Sequence, residues 1–217
     1  MAGSGKTTIG KALAKKLGWL FLDTDERVEK IAKKSIGDIF DNHGAGYFME
    51  KEIEVLNESI KQENIVVATG GRTYLNYLNR TTMIDSGLVV YLKADLETIL
   101  KRLSKPGEIS KRRFLNGITS ETLRYSIEML LKLRHKEYSE GSIEVDSNRN
   151  KSEVVDDIII LLEDNVKKEK PLTIKDIYLE IEYNGKKAKL PIADTPRNRK
   201  MYGIPLKKKR TAKKKSK

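Results

Sequence analysis

The sequence has no cysteine, two histidines and five prolines in 217 residues, and each scarcity removes a class of protein. Without cysteine there is no disulfide and no thiolate-held metal, and His43 and His135 are too few for a histidine-based metal cluster. The longest apolar run, Ile158 to Leu162, falls far short of the roughly 18 residues that a membrane span needs. The start, Met1-Ala2-Gly3-Ser4-Gly5-Lys6, has none of the features of a secretory signal. Membrane insertion and secretion are not expected, and a cytoplasmic address is.

What the sequence does have is 38% hydrophobic and 34% charged residues, enough apolar clusters for one well-buried domain with a small appendage, and too short a chain for two enzymes. The charge is uneven. Residues 1–166 hold 25 Lys and Arg against 26 Asp and Glu, net −1, whereas residues 167–217 hold 18 against 5, net +13. The pI near 9.6 therefore belongs to the last quarter of the chain. A boundary falls near residue 168, giving a body of 1–167 and a basic extension of 168–217.

In the body, helical periodicity covers about 6–17, with Gly18 as a stop, then about 25–34, 36–43, 47–61, 95–104, 120–138 and 151–166. Apolar stretches at 19–22, 64–69, 88–92 and, more weakly, 142–146 read as strands, the second of them fully buried. Segment 105–119, with Pro106, Gly107 and Gly117 among many charges, reads as a mobile loop. Strands alternating with helices predict an α/β fold: a parallel sheet covered by helices on both faces. In the extension, residues 176–192 alternate apolar and polar around Asn184-Gly185, a hairpin signal. Residues 196–217 carry too many lysines and arginines to form a core and are expected to be disordered.

Gly3-Ser4-Gly5-Lys6-Thr7 matches the second half of a phosphate-binding loop, in which a glycine, four residues and Gly-Lys-Ser/Thr follow a strand. Glycines let backbone N–H groups curl round a β-phosphate, Lys6 reaches the β- and γ-phosphates, and Thr7 ligates Mg²⁺. By this spacing the leading glycine falls immediately before Met1 and the strand that carries the loop is missing. A start assigned too late, or a fragment, explains this better than a functional truncation, because losing a central parallel strand exposes two strand edges. Asp23 and Asp25 sit just past the carboxyl end of a strand, where α/β sheets place ligands. An Asp-x-Asp there can equally be a helix-capping pair, and the loop upstream tips the reading to a site.

These residues, together with Gly18-Trp19, Ser35 through Phe40, Tyr47-Phe48, Ala68-Thr69-Gly70-Gly71, Arg134 and Tyr138, resemble the shikimate kinase family of P-loop kinases over nearly all of residues 1–166. The resemblance implies a P-loop kinase fold with a five-stranded parallel sheet, ATP and Mg²⁺ as cofactors, and transfer of the γ-phosphoryl group to a hydroxyl of a small carboxylic acid, shikimate first. It also implies roles. Gly3, Ser4, Gly5, Lys6, Thr7 and Thr8 would hold the nucleotide, and Thr7 and Asp23 the metal. Lys6 and Asp25 would act at the reacting groups, with Asp25 binding the acceptor hydroxyl. Gly70 and Gly71 would present amides to the acid, and Arg134 would pair with its carboxylate. Arg112 or Arg113, in the 105–119 loop, would be the lid arginine that reaches the phosphates, the first assigned to the nucleotide and the second to catalysis without a firm choice between them.

Two positions depart from the family pattern. Met49 stands where an arginine grips the acid, and Arg72 where a third glycine is usual. Arg72 is expected to take over the vacated anion-binding role. The competing reading is a catalytically impaired, kinase-like scaffold whose basic tail binds nucleic acid or another polyanion. With no aromatics interleaved except Tyr202, such binding would be weak, non-specific and salt-dependent. A monomer is favoured.

Overall fold

The structure, a computed structural model, describes residues 1–105, 119–166, 176–183 and 186–193. Residues 1–5 form a loop that turns into α1 (Lys6–Leu17), and β1 (Leu20–Asp23) runs directly into α2 (Thr24–Ala32). Next come α3 (Ile36–Ser59), β2 (Ile65–Ala68), a 3-10 turn at Thr73–Leu75, α4 (Tyr77–Ser86), β3 (Val90–Lys93) and α5 (Leu96–Leu103). The body closes with α6 (Ser120–Ser139), β4 (Ile143–Asp146) and α7 (Lys151–Val166), and the extension contributes β5 (Asp176–Tyr183) and β6 (Lys186–Ala193).

Local chemistry sets many of these boundaries. Gly18, at φ 69°, ends α1 in the left-handed region, a conformation that costs glycine nothing. Asp23, Ser35, Asn76, Asp95 and Thr119 each accept backbone N–H bonds at the starts of α2, α3, α4, α5 and α6, worth about 1 kcal/mol apiece. The two helical segments expected over 36–43 and 47–61 run as one element, broken at Gly44 (φ 77°, ψ 176°).

β1 pairs in parallel with β2, Asp23 opposite Ala68, and β3 pairs in parallel with β4, Lys93 opposite Asp146. The five-stranded sheet implied by the resemblance is thus two parallel pairs among the described residues. A cavity of about 50 Å³ lies between them, bounded by Thr69 and Gly70 after β2 and by Val89 to Leu92 on the other side. This corrects the expectation of a fully buried second strand: Ile65, Val66 and Val67 are only half-buried, because β2 has one hydrogen-bonded neighbour rather than two.

Helices do cover both faces. Along β3, Val90 and Leu92 join Ile9, Leu13, Val145, Val154 and Ile158 in a cluster with α1 and α7. Tyr91, pointing the other way by the period of two, joins Ile99, Leu103, Leu123, Ile127 and Tyr138 of α5 and α6. A third cluster, Val28, Ile39, Phe48 and Val55 with Leu22, seats α2 and α3 on β1. No helix among the described residues is long and apolar enough to cross a membrane. The Asn184-Gly185 turn, most of the 105–119 loop and the tail from 196 onward lie outside the described residues.

Candidate active site

Gly3 (φ 73°) and Gly5 (φ 97°) both take the left-handed conformation that brings the loop round to the first turn of α1. Gly5 is the N-cap of α1 and supplies no side-chain cap, and the first turn has no acidic residue. The orphan N–H groups and positive end of α1 are therefore left for an anion, in contrast with the side-chain caps of α2 to α6. Ser4 is buried and donates to the Met1 carbonyl at 3.0 Å. Lys6 Nζ donates to the same carbonyl at 2.7 Å, and Thr8 is exposed. This cradle fits a nucleotide's phosphates.

The Thr7 hydroxyl donates to Asp23 Oδ2 at 2.8 Å, while Asp23 Oδ1 accepts from the backbone N–H of Asp25 and of Glu26. The two expected metal residues are in contact, and Asp23 also caps α2. No group of three or more His, Asp or Glu side chains suited to a metal occurs among the described residues. Two oxygen donors beside a phosphate cradle suit Mg²⁺, which keeps several waters and leans on substrate phosphates.

Across from the loop, three polar side chains converge on Gly70. A Cβ there would lie 2.5 Å from Asp25 Oδ1, 2.9 Å from Glu52 Oε1 and 3.1 Å from Thr73 Oγ1. A side chain there would have to push these groups aside. The N–H of Gly70 donates to Thr24 Oγ1 at 2.8 Å, which corrects the expectation that this amide faces the acid: Gly70 contributes space, and its amide locks the turn to α2. The Gly71 carbonyl accepts from the Tyr138 hydroxyl at 2.6 Å, and the charge of Arg134, one helical turn before Tyr138, acts on that same hydroxyl. Arg134 is thereby placed near the Gly70-Gly71 turn by way of Tyr138. Arg72 is exposed beside these glycines, and Met49 is 45% exposed on α3. Arg112 and Arg113 lie outside the described residues.

Two residues were missed by sequence reading. Arg102, on α5, donates to the Gly3 carbonyl at 3.2 Å and to the Ser147 carbonyl, tying the loop to the end of β4. Glu52 is 4% exposed and accepts from the Thr73 hydroxyl at 2.6 Å. Its pKa is pushed up to about 7, first by burial and further by the Asp25 charge, against the opposing pull of the Thr73 hydrogen bond and Arg72. A signal for Glu52 existed: it falls four residues after Phe48 and four before Leu56, on the buried stripe of α3.

Because the folded state holds the Glu52 proton more tightly than the unfolded chain, stability contributed below pH 4.5 is lost as pH rises from about 4.5 to about 7. Glu52→Gln, which keeps an acceptor for Thr73, is expected to remove that slope. Denaturant midpoints from pH 4.5 to 8 check it, and parallel curves for the two proteins would refute it.

The comparisons agree with this geometry. A family model described as shikimate kinase matches residues 2–163. The shikimate kinase of Caldanaerobacter subterraneus subsp. tengcongensis is 36% identical over 158 residues, covering 72% of this chain and 89% of that protein. That of Clostridium botulinum is 40% identical over 116 residues, 54% of this chain and 68% of its relative. Among solved structures, shikimate kinase from Acinetobacter baumannii in complex with shikimate superposes with a TM-score of 0.68 at 32% identity, covering 76% of this chain and 89% of that one. The Bacteroides thetaiotaomicron enzyme gives a TM-score of 0.70 at 30% identity, covering 74% and 93%. A phosphate cradle and a carboxylate close beside Gly70, on a chain matched from Ala2 to Glu163, lead to one assignment: this chain belongs to the shikimate kinase family.

Proposed function

We propose that the chain is a small-molecule kinase that transfers the γ-phosphoryl group of ATP, with Mg²⁺, to a hydroxyl of shikimate, giving shikimate 3-phosphate. The observation that carries this is Lys6 and the uncapped start of α1 on one side and Asp25 at Gly70 on the other. The scaffold alternative is not favoured, since the family match spans the whole body.

Within this reading, bound Mg²⁺ and ATP supply charge neutralisation and the transferable group; the chain supplies position and electrostatics. Gly3, Ser4, Gly5 and Thr8 shape the phosphate cradle, Lys6 steadies the charge spread over the phosphoryl oxygens, and Thr7 with Asp23 holds the metal. Asp25 orients the attacking hydroxyl and accepts its proton. Gly71, Arg72 and Arg134 face the acid's carboxylate, with Gly70 leaving room for it. Arg112 or Arg113 serves as the arginine that reaches the phosphates. Arg72 replaces the charge missing at Met49, a role supported by its place beside Gly70 and by its electrostatic reach to Glu52.

The test is Mg²⁺-dependent ADP release with ATP and shikimate. A shikimate-dependent rate is expected, and its absence would sink the reading. Arg72→Gly is expected to raise KM for shikimate about tenfold or more, the loss of one charge-assisted contact, while kcat moves little. An unchanged KM would remove Arg72 from the acid's binding site.

The reading includes a monomer in the cytoplasm, where its donor ATP is supplied; sedimentation and cell fractionation test both. It also includes a weak polyanion contact by the net +13 extension. Removal of residues 197–217 should lower the salt needed to elute the chain from a polyanion column, and unchanged elution would refute the contact.

A further inference from the structure

Glu140 is the C-cap of α6, and both its carbonyl and its carboxylate are taken up by a distant segment of the chain. The hydroxyl of Tyr74, 66 residues earlier, donates to the carbonyl, and Arg80 Nη2 lies 3.2 Å from the carboxylate Oε2. Arg80 Nη1 donates in turn to the Tyr74 carbonyl at 3.2 Å. The guanidinium sits 5.9 Å from the centre of the Tyr74 ring and 5.4 Å from that of Tyr77. Arg80 is only 8% exposed and Tyr74 only 6%. A buried guanidinium is tolerated only when it is paired and hydrogen-bonded, and here the pairing sets a positive charge at the negative end of α6. Gly141, at φ 71°, then turns the chain directly against Ile84 of α4.

Just inside the same helix end, the Tyr138 hydroxyl donates to the Gly71 carbonyl. The 71–80 segment thus holds the end of α6 at three points: Gly71 with Tyr138, Tyr74 with Glu140, and Arg80 with Tyr74 and Glu140 together. Arg72 lies between the first two of these points on one side, and Arg134 lies one helical turn before Tyr138 on the other. Arg80 and Glu140 do not line the cavity at Thr69 and Gly70, whereas Tyr74 and Tyr138 do. Any effect of the ion pair on the acceptor side therefore passes through the residues it holds.

We infer that Arg80 and Glu140 are positioning residues: with Tyr74 they clamp the end of α6 to the 71–75 turn and so fix the separation of Arg134 from Arg72. Naming that separation as the span that receives the acid's carboxylate rests on the phosphotransfer reading; the clamp itself does not.

Steady-state kinetics and hydrogen–deuterium exchange on the full-length chain test it together. Tyr74→Phe with Glu140→Gln keeps the ring and the side-chain length while removing one hydroxyl and one charge. KM for shikimate should rise about fivefold, the loss of an ordinary hydrogen bond's worth of positioning. In the same variant kcat and KM for ATP should change by less than about twofold. Amide exchange should quicken about threefold or more at 71–75 and over 134–139. Glu140→Lys, which sets a like charge against Arg80, should raise KM for shikimate further. Glu97→Gln, which removes the charge facing Arg124 in an exposed pair near the start of α6, should leave it unchanged. A lowered unfolding midpoint with an unmoved KM would overturn the inference, because the contacts would then hold only the fold. Unchanged exchange, or an equal rise of KM in Glu97→Gln, would overturn it too. Failure of the kinase reading would appear separately, as no shikimate-dependent ADP release from the parent chain, and the exchange pattern alone would then decide the clamp.

Discussion

Replacing Lys6 with alanine is expected to lower kcat for shikimate-dependent ADP release by 10²- to 10³-fold, on the order found when one preorganised charge-stabilising donor is removed. Lys6 is the first residue of α1, at the mouth of a cradle whose N–H groups no side chain caps. Phosphoryl transfer leaves little covalent chemistry for a protein to do, so losing a fixed positive charge at the phosphates is felt chiefly in the transition state. The fold should survive. Lys6 is only half-buried, and its Nζ donates to the nearby Met1 carbonyl. The expected pattern is thus a large fall in kcat with an unmoved thermal midpoint. A variant that keeps more than about a tenth of the parent rate would remove Lys6 from the reacting groups.

The second large effect is expected at Gly70. An alanine methyl would meet Asp25 Oδ1 at 2.5 Å and Glu52 Oε1 at 2.9 Å, and the Thr73 hydroxyl bonded to Glu52 leaves that carboxyl little room to retreat. Something must shift, and the freest of the three is Asp25. Overpacking of this kind costs about 1–3 kcal/mol, and displacing a positioning group by about 1 Å costs about 10²-fold in rate. Gly70→Ala should therefore lower both the midpoint of unfolding and shikimate turnover, while ATP affinity, set on the far side of the site, is retained. Measuring ATP binding beside turnover separates the two sides. Normal turnover would mean that Asp25 is not held at the reacting position.

Much of this was legible in the chain because much of it is local. Gly3 to Thr7 are contiguous, and the capping role of Asp23 is written in the Asp-Thr-Asp run. The periodicities of α1, α6 and α7 follow directly from spacing. Glu52 was not legible in the same way. It sits among Glu50, Lys51 and Glu54, which resemble a solvated helix face, and its burial is decided by Thr73, 21 residues onward. The Gly70 amide was misjudged for a similar reason. Its partner, Thr24, lies 46 residues earlier, between two aspartates whose chemistry is more conspicuous than its own. The half-burial of β2 likewise depends on how many strands flank it, a property of the assembled sheets and not of the apolar run.

The contrast between the two halves of the site has an evolutionary consequence. The phosphate side comes from one short contiguous segment in which each position constrains the next, whereas the acceptor side is assembled from α2, α3, the 70–73 turn and α6. A single substitution in any of those segments can reshape what the pocket accepts without disturbing how phosphate is held. In the proposed reading, Met49 together with Arg72 has the form such drift would take: a charge moved from one wall of the acceptor pocket to its neighbour.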